Sequence, residues 1–133
     1  MPTIIASELE KPADAFRFFA FATRMDLDNY NRNTAEGLHT TSIAAAWMNI
    51  VYGFGGLRSD GGELVLNPTL PQQWTEYEFG ILCRNVHIRI RVSPGAVTLT
   101  TGDQVGEAIP LCIYNKRYHF ESSGLKIPRE PDV

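Results

Sequence analysis

The 133-residue chain is short of nearly everything that would send it to a membrane, a nucleic acid or an oxidising compartment. No apolar run approaches the ~20 residues that a bilayer-spanning helix needs. The opening Met1-Pro2-Thr3-Ile4-Ile5-Ala6 lacks a basic stretch and a full apolar core, so no secretory signal is expected. Twelve Lys and Arg stand against 15 Asp and Glu, a net charge of −3. That balance gives nucleic acid and anionic lipid nothing to hold, so neither is expected as a partner. Only two cysteines are present, Cys83 and Cys112, each in an apolar, strand-like setting. They offer no zinc spacing, and two buried free thiols fit the context better than a disulfide. No internal repeat and no low-complexity tract occurs. What remains is a soluble, cytoplasmic protein the size of one ordinary domain, or of a small domain with an appendage. At 44% hydrophobic and 20% charged it has enough apolar side chains for a core.

What is present divides near Gly55-Gly56. Before it the apolar period is helical. Pro12 suits the first turn of a helix, where its missing N–H is no loss. From there Phe16, Phe19, Ala20 and Thr23 form one stripe and Phe18, Phe21, Ala22 and Met25 a second. A helix apolar on two sides is normally buried between neighbours. A second helix is expected to start between Thr34 and Thr41 and to end at Gly53, with Ile43, Ala44, Trp47, Ile50, Val51 and Phe54 as its apolar face. Gly53, Gly55 and Gly56 supply positive-φ residues to stop it. After the glycines the period is two. Asp60-Gly61-Gly62 reads as a hairpin turn, Asn67-Pro68 and Leu70-Pro71 as a crossing loop. Tyr77, Phe79, Ile81 and Cys83 alternate along one strand, Val86, Ile88, Ile90 and Val92 along the next. Ser93-Pro94-Gly95 turns into residues 96–100, and 107–114 and 116–120 follow. Such spacing suggests a small antiparallel sandwich with one wet face.

The chemistry concentrates between the two helices. A polar, amide-rich loop passes through Gly37 into His39-Thr40-Thr41-Ser42 and then into the apolar helix. A histidine, three hydroxyls and helix-start N–H groups together suit an oxyanion such as phosphate. The same residues also read as ordinary capping, with His39 satisfied by a neighbouring carbonyl. Glu36 reads as an acid or base, or as the capping-box partner of Asn33 three residues earlier. Tyr30, Asn31 and Asn33 suit a sugar-lining loop or local Asx turns. Asp26 and Asp28 have no third ligand nearby, so no metal is expected. His87, Arg89 and Arg91 share one strand face and read as a solvated ladder beside acidic neighbours rather than an anion site. Trp74, Tyr77, Phe79 and Tyr114 read as core rather than as a sugar-stacking platform.

Tyr30-Asn31-Arg32-Asn33-Thr34-Ala35-Glu36-Gly37-Leu38-His39, with Trp47 and Gly53-Phe54-Gly55-Gly56 after it, resembles the end of the catalytic barrel in glycoside hydrolase family 65. That family contains the maltose, trehalose and kojibiose phosphorylases. Lys11-Pro12-Ala13-Asp14-Ala15-Phe16-Arg17-Phe18-Phe19 and Arg24-Met25-Asp26-Leu27-Asp28 resemble its penultimate barrel helix. Gly62-Glu63-Leu64-Val65-Leu66-Asn67-Pro68-Thr69-Leu70-Pro71 and Trp74 resemble the entry into its C-terminal β-domain. The resemblance implies an α+β fold. Residues 1–56 would be the last helices of an (α/α)6 barrel, incomplete, with part of a further helix at 1–8. Residues 57–122 would be a small antiparallel β-sandwich and 123–133 a tail, disordered from Pro128 on.

Phosphate in that family is held at the Gly-Leu-His segment, here Gly37-Leu38-His39. The resemblance thus implies that His39 holds phosphate; the hydroxyls of Thr40, Thr41 and Ser42 complete the expected phosphate site, and Tyr30, Asn31, Asn33 and Glu36 are the candidate substrate loop. Family hydrolases place a carboxylate base in this region, so a histidine favours phosphorolysis. The implied function is the C-terminal part of an inverting phosphorylase. It would take inorganic phosphate and an α-glucosyl disaccharide to β-glucose 1-phosphate, without a cofactor. The family's general-acid glutamate lies N-terminal to these residues, so no catalytic residue and no activity are expected of this chain alone. A homo-oligomer is expected. The competing readings are a non-catalytic structural or carbohydrate-associated module and part of a family 65 hydrolase.

Overall fold

The computed structural model describes residues 2–29, 35, 37, 39–59 and 61–130. The chain divides into two compact units, Met1–Phe54 and Gly55–Val133.

The first unit is helical. Helix α1 spans Pro2–Glu8, α2 Pro12–Thr23 and α3 Thr40–Met48, and α3 runs on into a π-helical turn, Asn49–Phe54. Pro12 occupies the first turn of α2, with Asp14 beside it at the positive end of the helix dipole. At the far end Thr23 Oγ1 donates back to the Phe19 carbonyl at 2.9 Å. The Phe16–Phe19 side of α2 faces inward, and the Phe19 ring meets Phe54 edge-on at 5.5 Å. The Phe18–Phe21 side does not: those residues are 46% and 53% exposed.

The apolar face expected along the second helix is split in the same way. Val51 and Phe54 are buried, while Ile43 and Trp47 are about half exposed. The change of winding falls between the two groups: the π turn begins at Asn49, after Ile43 and Trp47 and before Val51 and Phe54. Asn49 sits at the switch, 3% exposed, and its Oδ1 takes no hydrogen bond among the described residues. Of the three glycines expected to stop the helix, only Gly56 has positive φ, +58°. It is required there, because a Cβ would stand 2.6 Å from the Asn67 carbonyl oxygen.

The second unit is a β-sandwich. One sheet holds β1 (Leu64–Leu66), β5 (Ile109–Ile113) and β6 (Lys116–Phe120), in the order β1-β5-β6. The other holds β2 (Tyr77–Cys83), β3 (Val86–Val92), β4 (Ala96–Thr100) and β7 (Leu125–Pro128), in the order β2-β3-β4-β7. Alternation does the work: in β3 Val86, Ile88, Ile90 and Val92 are buried and the residues between them exposed. Leu66, Leu111, Ile113 and Phe120 supply the core from the other sheet, each with no exposed surface. Two hydrogen bonds join Arg58 to Val65 and the Gly62 N–H donates to the Ser59 carbonyl at 3.1 Å; Asp60 of the expected turn lies outside the described residues.

Two features differ from the expectation of a purely antiparallel sandwich ending before residue 123. β1 pairs with β5 in parallel, Leu64 opposite Leu111. The segment placed in the tail contributes β7, which pairs with β4 from Ala96 opposite Pro128 to Leu99 opposite Leu125. Pro128 is tolerated because β7 is an edge strand, with no second neighbour that needs its N–H. The two cysteines are free, as expected, but half-buried rather than buried.

Candidate functional site

The residues that directly follow α2, Arg24–Asp28, fold back on themselves. Main-chain N–H groups of Leu27 and Asp28 return to the Arg24 carbonyl at 3.0 and 2.9 Å. Arg24 closes this turn with its side chain, donating from Nε and Nη2 to the two oxygens of Asp28 at 2.6 and 3.0 Å. Asp28 is therefore committed to Arg24, and Asp26 is left to act elsewhere.

Asp26 acts on His39. Its Oδ2 accepts the main-chain N–H of His39 at 2.8 Å, and its Oδ1 lies 2.5 Å from the ring Nδ1. One carboxylate thus grips both the backbone and the imidazole of a single residue, which stands immediately before the first turn of α3. The side chains are 33% and 13% exposed for His39 and Asp26, so the contact is shielded from water on most sides. Hydrogen bonds from the His39 ring and then from its main-chain N–H hold the Asp26 carboxyl below its ordinary value of 3.8. The neighbouring residues dock the same segment: Ser42 Oγ donates weakly to the Met25 sulfur at 3.5 Å. The His39 carbonyl accepts from the Ser42 N–H at 2.8 Å, opening the helix. Gly37, two residues before His39, has φ +101°, a turn conformation that only glycine takes readily.

Of the expected phosphate ligands, His39, Thr40, Thr41 and Ser42 are brought together at this helix start. Thr40 and Thr41 are exposed, while Ser42 leans on Met25. Tyr30, Asn31, Asn33 and Glu36 lie outside the described residues. The partner that the structure gives the His39 ring is a carboxylate, Asp26, which sequence spacing offers only as a metal ligand. Among the described residues no three His, Cys, Asp or Glu side chains converge where a metal would sit.

The other residues weighed from the sequence fall in the second unit. Glu78 pairs with both Arg89 at 3.3 Å and Arg91 at 3.1 Å, so one carboxylate of the same sheet offsets part of the ladder's charge. His87 is held by Asp103, whose Oδ2 accepts the main-chain N–H at 2.7 Å and lies 3.0 Å from Nδ1. An open depression bordered by Gly80, His87, Arg89 and Thr101 adjoins them. Tyr77 and Phe79 are buried and stacked at 6.2 Å, with Trp74 edge-on to Tyr77 at 5.6 Å. Tyr114 donates its hydroxyl to the Pro68 carbonyl at 2.7 Å. These aromatics are core and loop anchors. Among the described residues no helix is long and apolar enough to cross a membrane.

Comparison with known proteins agrees with this division. Residues 1–48 match the family model described as glycosyl hydrolase family 65 central catalytic domain, and residues 57–120 match that family's C-terminal domain. The maltose phosphorylase of Bacillus subtilis (strain 168) is 44% identical over 89 residues, 67% of this chain and 12% of its own length. The alpha,alpha-trehalose phosphorylase of Geobacillus stearothermophilus is 36% identical over 122 residues, 89% of this chain and 15% of its own. A solved structure from the human microbiome, provisionally named a kojibiose phosphorylase, superimposes with a TM-score of 0.90 at 44% identity. It covers 98% of this chain, which spans 19% of it.

Proposed function

This chain belongs to glycoside hydrolase family 65, and on that footing we propose that it forms the C-terminal part of an inverting disaccharide phosphorylase. The helical unit contributes the end of the catalytic barrel and the segment that holds phosphate; the sandwich follows it. The observation that carries this reading is His39. It stands at a helix start beside three hydroxyls, its backbone and ring both gripped by Asp26. Helix-start N–H groups and hydroxyls suit an oxyanion, and a ring held in one orientation donates to it without first being ordered.

The chemistry is that of an inverting glycosidase with its water replaced. A general acid, placed by the family resemblance in the barrel N-terminal to these residues, protonates the leaving sugar. Phosphate, fixed by His39 with Thr40, Thr41 and Ser42, takes the position from which a water would attack the anomeric carbon. Inversion then converts an α-glucosyl disaccharide into β-glucose 1-phosphate. Phosphate and the disaccharide are the partners. Maltose, trehalose and kojibiose phosphorylases among the relatives support phosphorolysis over hydrolysis.

In the intact enzyme His39→Ala should lower kcat/KM for phosphate roughly 10–150-fold, the equivalent of about 1.5–3 kcal/mol for one hydrogen bond to a charged group. Disaccharide binding should change far less. Unaltered phosphate kinetics in this variant would return His39 to a structural role.

A further inference from the structure

We infer that Asp26 is the positioning residue of the phosphate site: it fixes the rotamer of His39 and the proton on Nδ1, so that Nε2 is the ring atom that meets phosphate. The inference rests on the reading of His39 as a phosphate ligand and extends it to a residue 13 positions earlier in the chain.

Both Asp26 oxygens are spent on His39, one on the main-chain N–H and one on Nδ1. An ionised carboxylate has no hydrogen to give, so the Nδ1 contact requires the proton to be on Nδ1. Any ring contact with phosphate therefore runs through Nε2. If His39 donates to a phosphate oxygen while still donating to Asp26, both ring nitrogens carry protons and the ring is an imidazolium. The neutral ring meets phosphate only by accepting a P–OH hydrogen at Nε2. The two-point grip also sets the geometry. The main-chain bond fixes the residue before α3 and the ring bond fixes its χ angles, so the imidazole cannot turn without breaking a charge-assisted hydrogen bond. Asp28, two residues on, cannot substitute, because Arg24 occupies both of its oxygens.

The test is histidine-ring NMR on the 15N-labelled chain, titrated with inorganic phosphate against chloride at equal ionic strength. The wild-type His39 ring should show a protonated Nδ1, and phosphate should move Nε2. In Asp26→Asn, with the α-helical amide signals retained, the Nδ1 signature should be lost and the Kd for phosphate read at His39 should rise about tenfold. Asp103→Asn should alter His87 alone. Equal phosphate affinity in wild type and Asp26→Asn would overturn the positioning role and leave His39 as a ligand. A wild-type His39 protonated only at Nε2 would overturn it without any variant, whether or not Asp26→Asn folds. If millimolar phosphate leaves wild-type His39 unmoved, the phosphate reading itself falls, and this inference with it.

Discussion

The molecule contains the same device twice. In the helical unit Asp26 grips the backbone N–H and Nδ1 of His39; in the sandwich Asp103 does the same to His87. Locally the two differ in one respect: Asp26 gives one oxygen to each contact, whereas Asp103 makes both through Oδ2. Their surroundings differ: the first pair is 33% and 13% exposed at a helix start beside three hydroxyls, the second 79% and 41% exposed on a sheet face. Around His87 the neighbouring Arg89 and Arg91 share the one carboxylate of Glu78, and among the described residues the second unit has no helix to present N–H groups. An Asp–His pair is thus not a site in itself. It becomes one where the fold supplies further donors and keeps water from competing for them. The contrast extends to the units that carry the pairs. The sandwich closes its own core, whereas the helical unit leaves Phe18, Ile43 and Trp47 about half exposed.

The contrast between a closed and an open unit can be broken most directly from the closed side. Phe120, the last residue of β6, has no exposed surface. Phe120→Ala should cost that unit about 3–5 kcal/mol. Chemical denaturation followed at Trp74, with Trp47 as the reporter of the helices, should show the sandwich transition move while the helical one moves much less. Equal shifts at both tryptophans would mean that the two units unfold as one. From the open side, side chains such as Phe18, Ile43 and Trp47 each leave up to ~1.5–3 kcal/mol of burial unrealised. Exposed apolar patches of this kind find a partner, and a symmetric dimer is the simplest closed arrangement. The isolated chain should therefore self-associate at micromolar concentration, and Phe18→Ser with Ile43→Ser should return it to monomer. Sedimentation of the wild type as a monomer at every concentration would remove the idea that this face is made for covering.

The elements that could be read from the sequence are those whose signal is local. Pro12 announces α2, and the alternation from Val86 to Val92 announces β3 in register. What could not be read depends on partners far along the chain. Leu64-Val65-Leu66 carries no period that separates parallel from antiparallel pairing, and only its place beside β5 decides. Leu125-Lys126-Ile127-Pro128 is too short to stand out, and its proline argues against a strand until the edge position is known. The π turn is invisible because residues 43–54 fit an uninterrupted α-helical period. At the site, composition and spacing led to His39 and its hydroxyls. Asp26 was missed because a carboxylate 13 residues away becomes a partner only once the turn after α2 has folded. The one local clue was Arg24, four residues before Asp28, which withdraws Asp28 and leaves Asp26 unassigned.

The smallest expected effect separates the two Asp–His pairs by acid. In the folded chain His39 holds the Asp26 carboxyl below 3.8, first through its ring and then through its main-chain N–H. His87 does the same to Asp103, first through its main-chain N–H and then through its ring. A carboxyl whose folded value is depressed binds fewer protons folded than unfolded. Its stabilising contribution is therefore complete above the ordinary value and is lost as pH falls through the depressed one. The helical unit should loosen at Trp47 as pH drops below about 3.8, and Asp26→Asn should remove that component while leaving the response at Trp74 unchanged. Asp103→Asn should act on the sandwich alone, and more weakly, because its pair is the more open to water and salt. Acid profiles of the two variants, each compared with wild type at both tryptophans, decide it. A larger response at Asp103 than at Asp26 would mean that shielding is not what distinguishes the two pairs.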